Sequence, residues 1–177
     1  MGIPSLMPDD DPIVRLAKQM DASRKSESLL MNAGSIAGLR RRGACQLHQV
    51  CAEFVSLLKS KGVDSPVELS PLTYSEEMFR ERGVNLFQVS SQGRQMQIAF
   101  QATPQTFSTE KYLIPYILEG EIRAYNQRML EHFEIRSQAL FYCVDHETAF
   151  WRFYDWRNPR NLPVDPELLA GLMQRLF

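Results

Sequence analysis

The side chains able to do chemistry fall in a few short stretches. Cys45, His48 and Cys51 form a C-x-x-H-x-x-C run, the donor types that hold zinc. On a helix each step of three residues turns the position by about −60°, so the three donors fan over about 120° and do not converge on one tetrahedral ion. Cys51 also falls on the apolar side of that helix and reads as a small core residue, so no metal and no cofactor are expected. Asp145-His146-Glu147 holds groups suited to acid–base work, and His146 and Glu147 are the candidates for the mouth of a small-molecule pocket. Three polar residues between two aromatic-rich runs are also the composition of a tight turn. Glu119 and Glu121 fall in a stretch with helical spacing, where residues two apart point apart, so they are not expected to act as a carboxylate pair.

Two further stretches suggest binding rather than reaction. Arg40, Arg41 and Arg42 are the basic cluster of the chain and the candidate anion contact, for phosphate or a nucleic-acid backbone. The run Trp151-Arg152-Phe153-Tyr154-Asp155-Trp156-Arg157 carries aromatics at both parities of a strand. One parity can face a core. The other needs a helix, a ligand or a partner to cover it, because exposed aromatic patches are unusual on monomers. Aromatic-plus-arginine surfaces are typical of interface hot spots, so Trp151, Arg152, Tyr154, Trp156 and Arg157 are the expected interaction surface.

The elements that must position these residues can be read from pattern. Asp11-Pro12 opens a helix with Ile13, Leu16, Ala17 and Met20 at helical spacing, and Asn32 to Ser35 breaks it. Leu47, Val50, Cys51, Phe54, Leu57 and Leu58 give the strongest amphipathic helix, closed by Gly62. Val67–Leu69 is a short strand between prolines, and Tyr74 to Arg82 a short helix. Leu86–Ser90 and Gln95–Ala102 form a hairpin joined by Ser91-Gln92-Gly93-Arg94, with Met96, Ile98 and Phe100 alternating against glutamines. Pro115 opens a helix to Phe133, lined by Leu118, Ile122, Tyr125, Met129 and Phe133. Ala139–Val144 and Thr148–Asp155 form a second hairpin, and Asp165-Pro166 starts a closing helix.

Strands joined by short loops must be antiparallel, which predicts an α+β fold. The expected sheet is antiparallel or mixed, of about four to five strands. Two long helices pack it, with a helical arm over residues 1–35 and a single α+β domain over 36–177 that ends in a C-terminal helix. The order helix, three strands, helix, strand resembles that of the restriction-endonuclease-like nuclease core. That resemblance implies nucleic-acid association, but the strand Gln95–Ala102 lacks the acid and lysine of the family's metal motif. The sequences typical of nucleotide-binding loops, hydrolase elbows and zinc proteases do not occur either.

The chain has 177 residues and a net charge of −1, with 20 basic against 21 acidic residues, so no global field draws it to nucleic acid or to an acidic membrane. Three cysteines without regular spacing are no disulfide framework, and neither a leader pattern nor an apolar run of membrane length is present. These features predict a cytoplasmic, non-catalytic interaction module that binds another protein or itself. The alternatives are a nucleic-acid-associated domain without a metal site and a small-molecule-binding domain.

Overall fold

The computed structural model describes residues 11–30, 33–62, 64, 66–145, 148–155 and 160–177. Helix α1 (Pro12–Leu30) precedes α2 (Ala33–Ser60), and strands β1 (Glu68–Ser70), β2 (Asn85–Ser91), β3 (Arg94–Ala102) and β4 (Tyr116–Tyr125) follow. A short α3 (Gln127–Glu131) leads to β5 (Arg136–Asp145), β6 (Thr148–Asp155), β7 (Arg160–Pro163) and α4 (Pro166–Gln174). All seven strands form one antiparallel sheet in chain order, a meander with β1 and β7 at its edges. The α+β class is as expected. The sheet has seven strands rather than four or five, because residues 116–125 and 160–163 are also strands.

Local chemistry accounts for several boundaries. Asp165 accepts a hydrogen bond from the Leu168 amide at 2.9 Å, with Pro166 next in line, so α4 starts on a capped first turn. Gln92 and Gly93 both take positive φ, 52° and 73°, the geometry of a two-residue hairpin turn matched to strand twist. Glycine adopts it without a Cβ clash.

The predicted helix over 115–133 is the main correction. Its residues form β4, central in the sheet between β3 and β5, and only Gln127–Glu131 is helical. Leu118, Ile122, Tyr125 and Met129 do recur at helical spacing. Leu118, Ile122 and Ala124 equally keep one parity of a strand, and two full ladders of backbone hydrogen bonds decide between the periods. Tyr74 to Arg82 contains only a 3-10 turn, Glu76–Met78. The helix–three strands–helix–strand order behind the nuclease resemblance is therefore absent, since four strands precede α3.

Helix α2 lies across the inner face of the sheet, touching β1, β2, β4, β6 and α4. Its residues Ile36, Ala44, Leu47, Cys51, Phe54 and Val55 join Phe87, Ile98, Phe100, Leu118, Ile122, Leu140 and Tyr142 in the core. Close approach occurs at Gly43, where a Cβ would overlap the Tyr142 ring. Trp151 fills the adjacent space, its ring 5.7 Å from Phe100 and 5.2 Å from Tyr142. Its indole N–H donates to the Gly43 carbonyl at 2.7 Å.

Candidate functional site

The opposite, outer face of the sheet is where side chains remain open. In β4 residues two apart share a face, so Glu119 and Glu121 both project outward. Cross-strand pairing sets Leu86, Ala99, Glu121 and Ala139 in one row, and Gln101, Glu119, Phe141 and Arg152 in the next. Small Ala99 and Ala139 beside longer neighbours leave a hollow of about 370 Å³ over β3–β5. Val84, Gln101, Ser137 and the two glutamates rim it. Glu119 pairs with Lys111 at 3.3 Å, and Glu121 pairs with Arg123. The separation of these carboxylates inferred from helical spacing is thus overturned: strand geometry brings both to one hollow.

One end of the hollow is walled by the connection from β3 to β4, residues 103–115. Tyr112 stacks on Phe141, with centroids 4.8 Å apart and ring planes 11° apart. Tyr112, Tyr116, Phe141 and Cys143 make a second buried cluster here, flanked by Ile114 and Phe150. A bulge in β4 between Tyr116 and Leu118 lets Tyr116 join this outer cluster while Ile117 and Leu118 both serve the core. Ser108 and Tyr116 exchange backbone hydrogen bonds of 2.9 and 3.0 Å, and the Lys111 amide donates to the Tyr116 hydroxyl at 3.1 Å.

The base of this strap is fixed from the inner side by Arg40. Its side chain is buried on α2, in phase with Leu47, Cys51 and Phe54. The guanidinium donates to the carbonyls of Ile117 (3.1 Å), Gln105 (3.1 Å) and Thr106 (3.2 Å), to the Thr103 hydroxyl (3.1 Å), and to Glu81. Arginine suits this position because its planar fork serves several acceptors at once. Arg40 is thus an internal strut rather than an anion contact, whereas Arg41 and Arg42 are exposed.

The expected interaction surface is divided by the fold. Trp151 is buried against α2 and is not available to a partner. Arg152 lies on the outer face, its guanidinium carbon 4.6 Å from the centre of the Phe150 ring. Trp156, Arg157, His146 and Glu147, and the side chain of Tyr154, lie outside the described residues. Comparison with known proteins gives no match to a family model, to a curated protein or to a solved structure.

Several buried thiols and phenols are held neutral. Burial pushes the thiols of Cys51 and Cys143 up to about 12, and the phenols of Tyr74, Tyr112 and Tyr142 likewise to about 12. His48 is enclosed by Tyr74 and Phe87, at 5.5 and 5.2 Å between centroids, and its Nε2 donates to the Pro71 carbonyl at 2.8 Å. Of the C-x-x-H-x-x-C residues, Cys51 sits in the core and Cys45 is partly exposed. Among the described residues no group of three or more His, Cys, Asp or Glu is placed to hold a metal ion, and no helix is long and apolar enough to cross a membrane.

Proposed function

We propose that the protein is a non-catalytic interaction module whose outer sheet face receives a segment of a partner protein, with a second copy of the chain as the other occupant. The observation that carries this reading is the hollow over β3–β5, with its small floor, polar rim and exposed apolar neighbours. Val84 and Leu86 stand beside it at 54% and 48% exposure, and Leu113, two residues from Lys111 on the strap, is 95% exposed. Large apolar side chains around a recessed floor supply contact area, while Gln101, Ser137, Glu119 and Glu121 supply the hydrogen bonds that fix an incoming segment. The N-terminal segment is a helical arm in this proposal, its exposed Ile13, Leu16 and Met20 offering a second contact. The setting is a reducing cytoplasm, in which all three cysteines stay thiols.

The nucleic-acid alternative draws less support. With Arg40 turned inward, the basic cluster offers Arg41 and Arg42 alone, too few phosphate contacts for strong binding in a chain of net charge −1.

Ala139 is exposed, so Ala139→Trp fills the hollow without disturbing the core. Wild-type and Ala139→Trp proteins serve as matched baits, and recovered proteins are quantified by mass spectrometry. A protein retained by the wild type and lost by the variant supports the proposal. Identical recoveries from two folded baits would remove its basis.

A further inference from the structure

A second recess lies away from the outer face, between the C-terminal half of α2, helix α4 and the β2–β3 turn. Phe54, Leu58, Val67 and Met173 line a cleft of about 370 Å³, and Phe177 forms part of its lip. Phe54, Val67 and Met173 are buried, so the walls belong to the folded core, whereas Phe177 is 68% exposed. Arg94 is not itself a lining residue but stands beside Gln92 and Phe177, which are. Its Nε donates to the Leu176 carbonyl at 3.3 Å, its Nη1 to the Gln92 carbonyl at 3.1 Å, and its guanidinium carbon lies 4.3 Å from the centre of the Phe177 ring. Gln92 itself lines the cleft, so both tethers hold the cation at the edge of the apolar walls. Among the described residues no carboxylate pairs with Arg94.

An apolar recess with one oriented, unneutralised cation at its mouth is complementary to an amphiphile with one apolar tail and one anionic head. We propose that this cleft binds a single-chain carboxylate of the fatty-acid class, the tail between Phe54, Leu58 and Met173 and the head on Arg94. The tail supplies affinity by leaving water. The head selects, because a guanidinium held by two backbone carbonyls still presents donors to a carboxylate in fork geometry. Nothing here depends on the outer-face reading, since the two recesses share no lining residue.

The test is a calorimetric titration of the full chain with hexanoate, octanoate and decanoate, beside decanol as a headless control. Affinity is expected to rise about fourfold per added methylene until the cleft is full. Decanoate should bind more tightly than decanol, and Arg94→Gln should erase that preference. Ala170→Phe, at an exposed lining position on α4, should abolish binding. Methyl NMR of Met173 in the wild type reads occupancy without any substitution, and decanoate should shift that resonance. No binding of decanoate up to about 1 mM overturns the proposal. So does affinity independent of chain length, or decanol binding as well as decanoate. Should decanoate instead dissociate a concentration-dependent dimer, the occupant is a second copy of the chain and the amphiphile assignment falls.

Discussion

Replacing Trp151 by alanine distinguishes a core tryptophan from an interface tryptophan. The side chain is 6% exposed, rests on Phe100 and Tyr142, and donates its indole N–H to the Gly43 carbonyl of α2. Truncation removes on the order of 200 Å² of buried aromatic surface and opens a cavity beneath the helix. Because Gly43 already sits as close to Tyr142 as a backbone can, α2 has little freedom to settle into that space. The expected loss is about 3–5 kcal/mol, near the upper range for such substitutions. In a chain of this length that lowers the melting temperature by roughly 10 °C. Trp151→Phe keeps most of the volume and loses the hydrogen bond, so it should cost about 1–2 kcal/mol. Thermal and urea denaturation followed by circular dichroism measure both. If Trp151→Ala melts with the wild type while partner binding is lost, the tryptophan is an interface residue and its assignment to the core is wrong.

Two other outcomes follow from the same packing. Arg40→Met leaves several strap carbonyls without their donor and should destabilise by about 3 kcal/mol. Amide exchange across residues 103–115 should accelerate, and unchanged protection there would show that Arg40 does not hold the strap. Alkaline pH should also weaken the fold. Cys51 and Cys143 keep their protons to about 12 when folded, against 9.0 for a free thiol, and Tyr142 does so against 10.0 for a free phenol. Above about pH 9 the unfolded chain releases these protons first, so the folded state binds more of them and stability falls as pH rises towards 12. Each group contributes a slope of up to about 1.4 kcal/mol per pH unit. A urea midpoint that stays flat from pH 9 to 11 would contradict the burial of these groups.

Much of the local structure is written in short-range chemistry. Asp11-Pro12 and Asp165-Pro166 mark helix starts because an acceptor before a proline satisfies the first free amides. The hairpin at Gln92-Gly93 follows from a turn that needs positive φ, and the buried face of β3 from strict alternation of Met96, Ile98 and Phe100. These signals act within a few residues, so the sequence contains them whole.

The candidate sites depend on contacts between distant segments. Residues 116–125 satisfy two periods at once, and only pairing with β3 and β5 makes them a strand and turns Glu119 and Glu121 to one side. Arg40 is one of three consecutive arginines whose charges are identical in sequence. Its phase with Leu47, Cys51 and Phe54 was the available sign that it faces inward, but its acceptors lie 41 to 77 residues away along the chain. Trp151 likewise belongs to the core because α2 crosses the sheet at Gly43, 108 residues earlier. Propensity and capping therefore determined where elements begin and end, while the packing of α2 on the sheet decided which polar and aromatic side chains remain available to a ligand.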